Sequence, residues 1–380
     1  MAATATGPVP APARRGPLEH ALAPMTLLGA LIAAFTIYAN VKDNAYGYDF
    51  RGGLWEAGRD VLAGRSPYPA PDPAHLHALG NAYIPPPLLA VLTAPITVLP
   101  FVPAAIVLNV VCAAALVLAL RLVGARDWRV YGLALASFPF VSGIILGQAD
   151  ALLMLGVAVA WRYRSSWRGA AAAGIVVALK LLAWPLLLWL LVTRRFRQAG
   201  VAAAVAIAAT AGSWALIGFK GLAQYPRLLS ADAKAFQAGS RSVVAAALGL
   251  GAEAHTARVL ALLVAAAVAA AVWRLASDRD LGGFAAALAF GLLSSPILWM
   301  HYLVILFVPL AVAHRRAGAA WLLTTAFWIS PTDLRAPVWK IVCVLALAAT
   351  LSVLAARRPR AQAAPQPAGP LPQALPARLA

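Results

Sequence analysis

The chain is short of acid. Its 380 residues carry 13 Asp and Glu against 31 Lys and Arg, and charged residues of both signs make up only 12%. So little charge excludes the surface of an ordinary soluble enzyme of this length. The 62% of hydrophobic residues, laid out in repeated apolar runs, point instead to an all-α, polytopic integral membrane protein. Cysteine is nearly absent. Cys112 and Cys343 lie inside apolar runs with no His or second Cys at ligand spacing, which argues against a structural disulfide and a zinc site. No phosphate-loop or metalloprotease motif is present, and neither cofactor nor metal is expected. The basic surplus does not call for nucleic acid, because its residues sit in short clusters between apolar runs, as the positive-inside rule produces.

A bilayer core takes about 20 apolar residues per helical span, so the chain has room for about ten helices in one membrane domain. We place that domain at 25–356, between a disordered cytoplasmic N-tail (1–24, Ala- and Pro-rich with Arg14 and Arg15) and a disordered cytoplasmic C-tail (357–380). The run from Met25 to Val41 reads as a retained first helix, since no small-residue cleavage site follows it. A first extracytoplasmic loop, 42–85, then opens with Asp49 just beyond the membrane. Within it Leu54, Trp55, Val61 and Leu62 fall on one side of a short helix and Arg51, Glu56, Arg59 and Asp60 on the other, a pattern suited to the membrane interface.

Further along, basic clusters recur at 121–129, 161–168, 194–197, 274–279, 315–316 and 357–360. Only about 25 residues separate WRYRSSWR (161–168) from RRFR (194–197), with Lys180 near the middle. Either this stretch is a single span or it is a hairpin of two short helices with Lys180 at the outer turn. The hairpin keeps both clusters on one side and is the expectation taken here. A second large polar loop, 219–256, holds Lys220, Tyr225, Arg227, Asp232, Lys234 and Arg241. Apolar runs follow at 257–273, 282–299, 302–313, 317–330 and 338–355. Counting spans from both termini puts Asp49, 219–256, SSPILWMHY (294–302) and the loop near Asp333 on the outer face. The two counts join only if one segment between Pro86 and Leu146 is re-entrant or broken.

Asp49, Gln148, Lys180 with Arg241, and His301 with Tyr302 thus converge on one face. A glycosidase needs two carboxylates to activate a nucleophile and protonate a poor leaving group. A sugar on phosphate leaves as a stable anion and needs one base plus cations to receive the charge. On that reading Asp49 takes the proton of an acceptor hydroxyl in one inverting displacement. Each residue also has a plainer reading: a solvated loop charge for Asp49 and Arg241, an interhelical contact for Gln148, a snorkelling lysine, a satisfied interfacial histidine.

The ordered set YDFRGGLWEAGRDVLAGRSPY, YIPPPLLAVLTAPITVLP with Tyr83, GQADALLML, AGIVVALKLLAWPLLLWLL before RRFR, and SSPILWMHYLVIL resembles the GT87 family of the GT-C superfamily. The resemblance implies a GT-C-type bundle of about 10–12 membrane helices with its active site on the extracytoplasmic side of the cell membrane. It also implies a polyprenyl-phosphate sugar donor, often mannose, and a glycolipid or glycan acceptor. By position it assigns the base to Asp49 and substrate-binding roles to Gln148, Lys180 and His301, with Arg51, Tyr83, Arg241 and Tyr302 as further candidates. Asp150 departs from the family's usual Asn. Two other readings stay open on the same scaffold: a non-catalytic carrier or flippase of polyprenyl-linked sugars, and a pentosyltransferase.

Overall fold

The computed structural model describes residues 17–331 and 336–358. The loop around Asp333, the first 16 residues and the tail beyond 358 lie outside the described residues. Among the described residues every regular element is helical. Helix α1 (Pro17–Lys42) begins before the expected Met25. Proline in a first helical turn forgoes only an N–H that has no partner there, and the Ala- and Leu-rich run behind it favours helix. The first loop holds a π-type turn (Phe50–Trp55), α2 (Glu56–Leu62) and α3 (Pro73–Leu79), then α4 (Pro87–Thr93). Leu54 of the interfacial segment is buried, while Leu62, expected on the same face, is exposed.

The bundle continues with α5 (Phe101–Leu122), α6 (Trp128–Ala136), α7 (Phe138–Leu146), α8 (Asp150–Arg162), α9 (Trp167–Leu179), α10 (Pro185–Val192) and α11 (Phe196–Leu216). After the second polar loop, with α12 (Tyr225–Phe236) and α13 (Val243–Gly249), come α14 (Ala254–Leu275), α15 (Arg279–Ser294), a 3-10 segment (Met300–Leu306), α16 (Phe307–Ala313), α17 (Ala319–Leu322) and α18 (Val338–Ala355). Among the described residues α5, α11, α14 and α18 are long and apolar enough to cross a membrane, and α6 with α7, bent by 55°, would make a fifth. The other apolar runs form shorter helices, several of them opened or divided by proline. The bend between α6 and α7 falls at Ser137, whose hydroxyl turns back to the Ala134 carbonyl at 2.7 Å, with Pro139 two residues on. It is a break of the kind expected between Pro86 and Leu146.

Ion pairs and caps define two ends. Asp280, in the first turn of α15, receives Arg164 at 2.5 Å and Arg195 at 2.6 and 2.9 Å. Those arginines come from the two basic clusters that flank 168–194, so α9 and α10 start and finish at the same end: the hairpin is what forms. Arg358 reaches Asp278 at 3.3 Å, Ser277 N–H bonds the Ala356 carbonyl, and the His314 ring lies 3.0 Å from the Leu354 carbonyl. These contacts gather the starts of α9, α11 and α15 and the ends of α8, α10, α16 and α18 into one basic end.

Small residues let the helices between the ends close up. Gly174 on α9 packs on the α11 backbone at Ala202 with no room for a side chain, and Gly156 on α8 lies against Val176. At the opposite end the two large loops are joined by stacked rings. Tyr68 lies 5.3 Å from both Trp214 and Tyr225 and 5.6 Å from Tyr83, above the buried pair Leu76 and Leu228.

Candidate active site

The site forms opposite the basic end, where α1, α7, α9 and α15 finish and α8 begins. Asp49 is brought there by a tight chain crossing. Gly47 N–H bonds the Ile145 carbonyl at 2.6 Å, and the Tyr46 hydroxyl and the Ile144 carbonyl share the Asn109 amide. Gly147 closes α7 in the left-handed conformation, φ 75°, and a β-carbon there would sit 2.5 Å from Cβ of Phe50. Glycine is therefore needed twice over, for the dihedral and for the approach. With that gap closed, Nε2 of Gln148 donates to Oδ2 of Asp49 at 2.9 Å.

Two residues beyond Gln148, at the start of α8, Asp150 meets the other half of the cluster. Lys180, in extended backbone between α9 and the turn that leads into α10, places its ammonium 2.7 Å from Oδ1 of Asp150. The same ammonium lies 3.4 Å over the centre of the Tyr302 ring, a cation–π contact. His301 enters from the 3-10 segment that follows the Pro296 break, with Nε2 at 3.7 Å from Oδ2 of Asp150. The cluster has two layers. Asp49, Gln148, Lys180 and Tyr302 keep partial exposure, whereas Asp150 and His301 are 3% and 2% exposed and stand behind them.

Burial pushes the Asp49 carboxyl up to about 6, against the downward pull of the Gln148 hydrogen bond and the Lys180 charge, with Asp150 adding a smaller upward push. A carboxylate that titrates near neutrality is a better general base than an unperturbed one. On α12, Asp232 is likewise raised by burial, to about 7, and faces Tyr225 and Tyr302.

The expected residues divide. Asp49, Gln148, Lys180, His301 and Tyr302 come together. Arg241 is buried, its backbone N–H on the Leu298 carbonyl and its side chain on Ser330 and Gly239, so its described bonds brace the 294–302 segment from behind. Tyr83 is also internal: its hydroxyl donates to the Pro86 carbonyl at 2.5 Å and accepts from Ala90 N–H at 2.9 Å, shaping the turn into α4. Arg51 is exposed, 4.2 Å over the Phe101 ring. The lone acid read from the sequence has company in Asp150, a residue whose apparent departure from pattern drew attention away from the pairing it makes. Asp232 was also passed over, as one of several charges in a polar loop.

Beside the cluster an open groove of about 680 Å³ runs between α2 and residues 97–101, lined by Trp55, Arg59, Leu62, Leu99 and Phe101. Arg59 lies 4.7 Å over the Trp55 ring, and Trp55 donates to the Leu99 carbonyl. No carboxylate lines the groove. Cys112 and Cys343 are free thiols, and among the described residues no group of three or more His, Cys, Asp or Glu could hold a metal ion.

The family model for glycosyltransferase family 87, GT87, matches residues 83–300, a stretch that includes Gln148, Asp150 and Lys180 but begins after Asp49 and ends one residue short of His301. A polyprenol-phosphate-mannose-dependent alpha-(1-2)-phosphatidylinositol pentamannoside mannosyltransferase of Mycolicibacterium smegmatis is 28% identical over 317 residues, covering 78% of this chain and 75% of that protein. No solved structure matches.

Proposed function

The chain belongs to glycosyltransferase family 87, and from that premise we propose that it moves a hexose, mannose by analogy with the mycobacterial relative, from a polyprenyl-phosphate donor to a glycolipid acceptor. The observation that carries the mechanism is the Asp49 carboxylate, partly desolvated, fixed by Gln148 and set beside a lysine.

Asp49 accepts the proton of an acceptor hydroxyl as that oxygen forms its bond to the anomeric carbon. The bond from that carbon to the phosphate oxygen breaks on the opposite side, its electron pair leaving with the phosphate, and configuration inverts. Gln148 keeps one carboxylate oxygen aimed and leaves the other for the acceptor. Lys180 receives negative charge developing on the departing phosphate. The groove, apolar along Leu62 and Leu99 and cationic at Arg59, suits the first part of a prenyl chain and its headgroup. Arg51 and Arg59 make cation–π contacts but no ion pair among the described residues, so they add the positive charge that Arg241 does not bring. His301, behind Asp150, supports the site rather than touching sugar. The basic end would lie in the cytoplasm by the positive-inside rule, which turns the site to the extracytoplasmic side of the cell membrane.

The experiment is a donor screen on purified protein in bilayers, with mass spectrometry of the lipid product. Polyprenyl-phosphate mannose should yield a mannosylated lipid. A product from a pentose donor alone would reassign the sugar, and no product from any polyprenyl-phosphate donor would sink the reading. Asp49→Asn should bind donor without transferring it, whereas a carrier would be indifferent to that change.

A further inference from the structure

Asp150 is too deeply buried to touch a substrate, yet it organises the positive charge of the site. Its Oδ1 holds the Lys180 ammonium at 2.7 Å and its Oδ2 faces His301 Nε2 at 3.7 Å. Lys180 leaves the backbone at a helix break, where its long side chain has more than one carboxylate in range, and Asp49 is the other one that feels its charge. Which of the two holds the ammonium decides what Asp49 can do. A lysine docked on Asp49 would lower its basicity and occupy the place of the acceptor hydroxyl. A lysine held on Asp150 leaves Asp49 open.

We infer that Asp150 is a positioning residue for the transfer: it detains the Lys180 ammonium over the Tyr302 ring, keeping Asp49 free to take a proton and the ammonium at hand for the departing phosphate. This rests on Asp49 being the base.

The hydrogen-bond inventory separates this arrangement from a packing pair. Asp150 Oδ2 and both ring nitrogens of His301 are buried without a hydrogen-bond partner among the described residues, next to a cavity with room for about one water and lined also by Cys112 and Gln148. Buried polar groups that serve structure alone are normally satisfied. Here acceptor capacity stays open on the oxygen that does not hold the lysine, so Asp150 is not locked in place by other partners as a packing residue would be. The charged and titratable groups that act on or respond to Asp49 are Lys180, Asp150 and Tyr302, all from the packed elements.

The test reads the protonation of Asp49 without relying on turnover. A hydrophobic carbodiimide modifies carboxyl groups in their protonated form, and mass spectrometry gives the pH midpoint of labelling at Asp49 in the full-length protein in bilayers. The parent midpoint should fall near 6. Asp150→Asn keeps the side chain's shape, removes a negative charge and releases Lys180 toward Asp49, so the midpoint should drop by about one unit. Lys180→Met should raise it by a similar amount, and Asp150→Glu should bring it back toward the parent value. The acid limb of kcat against pH should move with each midpoint.

Removing the Asp150 charge lowers the midpoint by itself, so release of the ammonium is read from the double variant: Asp150→Asn should lower the midpoint less in a Lys180→Met background than in the parent, and an equal drop in both overturns the inference. An unmoved or raised midpoint in Asp150→Asn overturns the inference, as does an unmoved midpoint in Lys180→Met, which decides the matter should Asp150→Asn fail to fold. Midpoints that shift as expected in a protein that transfers no sugar would support the placement of Lys180 while removing the glycosyl-transfer reading.

Discussion

At the basic end Asp280 receives two guanidinium groups and the Trp189 indole N–H, and both of its oxygens are engaged. At the other end Asp150 receives one ammonium, and its second oxygen faces a histidine without a bond. Both carboxylates pair with cations from distant helices, but the first is closed and the second is not. Arginine forks fit a carboxylate face to face and hold it still. Lysine is a point charge on a flexible stem and can change partners. The chain thus uses arginine where three helix ends must be tied together and lysine where charge has to travel.

The sharpest way to break that contrast is at the base itself. Asp49→Asn should reduce transfer by about 10³-fold or more at constant donor affinity, measured with labelled donor in bilayers. The same substitution should raise the melting temperature at pH 8. Because the folded carboxyl is lifted from 3.8 to about 6, its favourable contribution is present at low pH and is lost as pH rises through that interval. Gly147→Ala comes next. It forces an L side chain to φ 75° and into Phe50, and by displacing Asp49 from Gln148 should cost about 10²-fold in kcat along with about 1–2 kcal/mol of stability, read by kinetics and thermal unfolding.

At the closed end, Asp280→Asn strands two partly exposed guanidinium groups. It should cost about 2–3 kcal/mol of stability, less than for a fully buried pair, with the pH profile of the surviving activity unchanged. A moved profile would show that the two ends are coupled. The smallest effect expected is on pH alone: kcat should fall as pH drops below about 6 and the Asp49 carboxyl protonates, a single limb that Gln148→Leu should shift upward by removing a hydrogen bond to the charged form.

Much of this was legible beforehand. Charge clusters separated by apolar runs gave the hairpin at Lys180, and α18 starts and stops where its run does, at 338 and 355. Asp49 and Gln148 were expected on one face, and the hydrogen bond between them is what the structure adds. Depth was not legible. Whether Arg241, Tyr83 and His301 each open onto the site or brace it from behind depends on side-chain direction at irregular backbone. The 3-10 segment at 300–306 and the turn before α4 carry no 3.6-residue period from which to read a face.

The broken hairpin has a reach as well as a shape. Its first arm, α9, has 13 residues and so rises only about 20 Å, against about 30 Å of hydrocarbon in a typical bilayer. Were Arg164 and Arg195 to hold its lower end at one surface of such a bilayer, Lys180 would stand about 10 Å beneath the other, and lipid and water would have to dip to meet it. The thickness of the surrounding membrane should then enter the reaction rate, and reconstitution into lipids of graded acyl length should expose an optimum on the thin side.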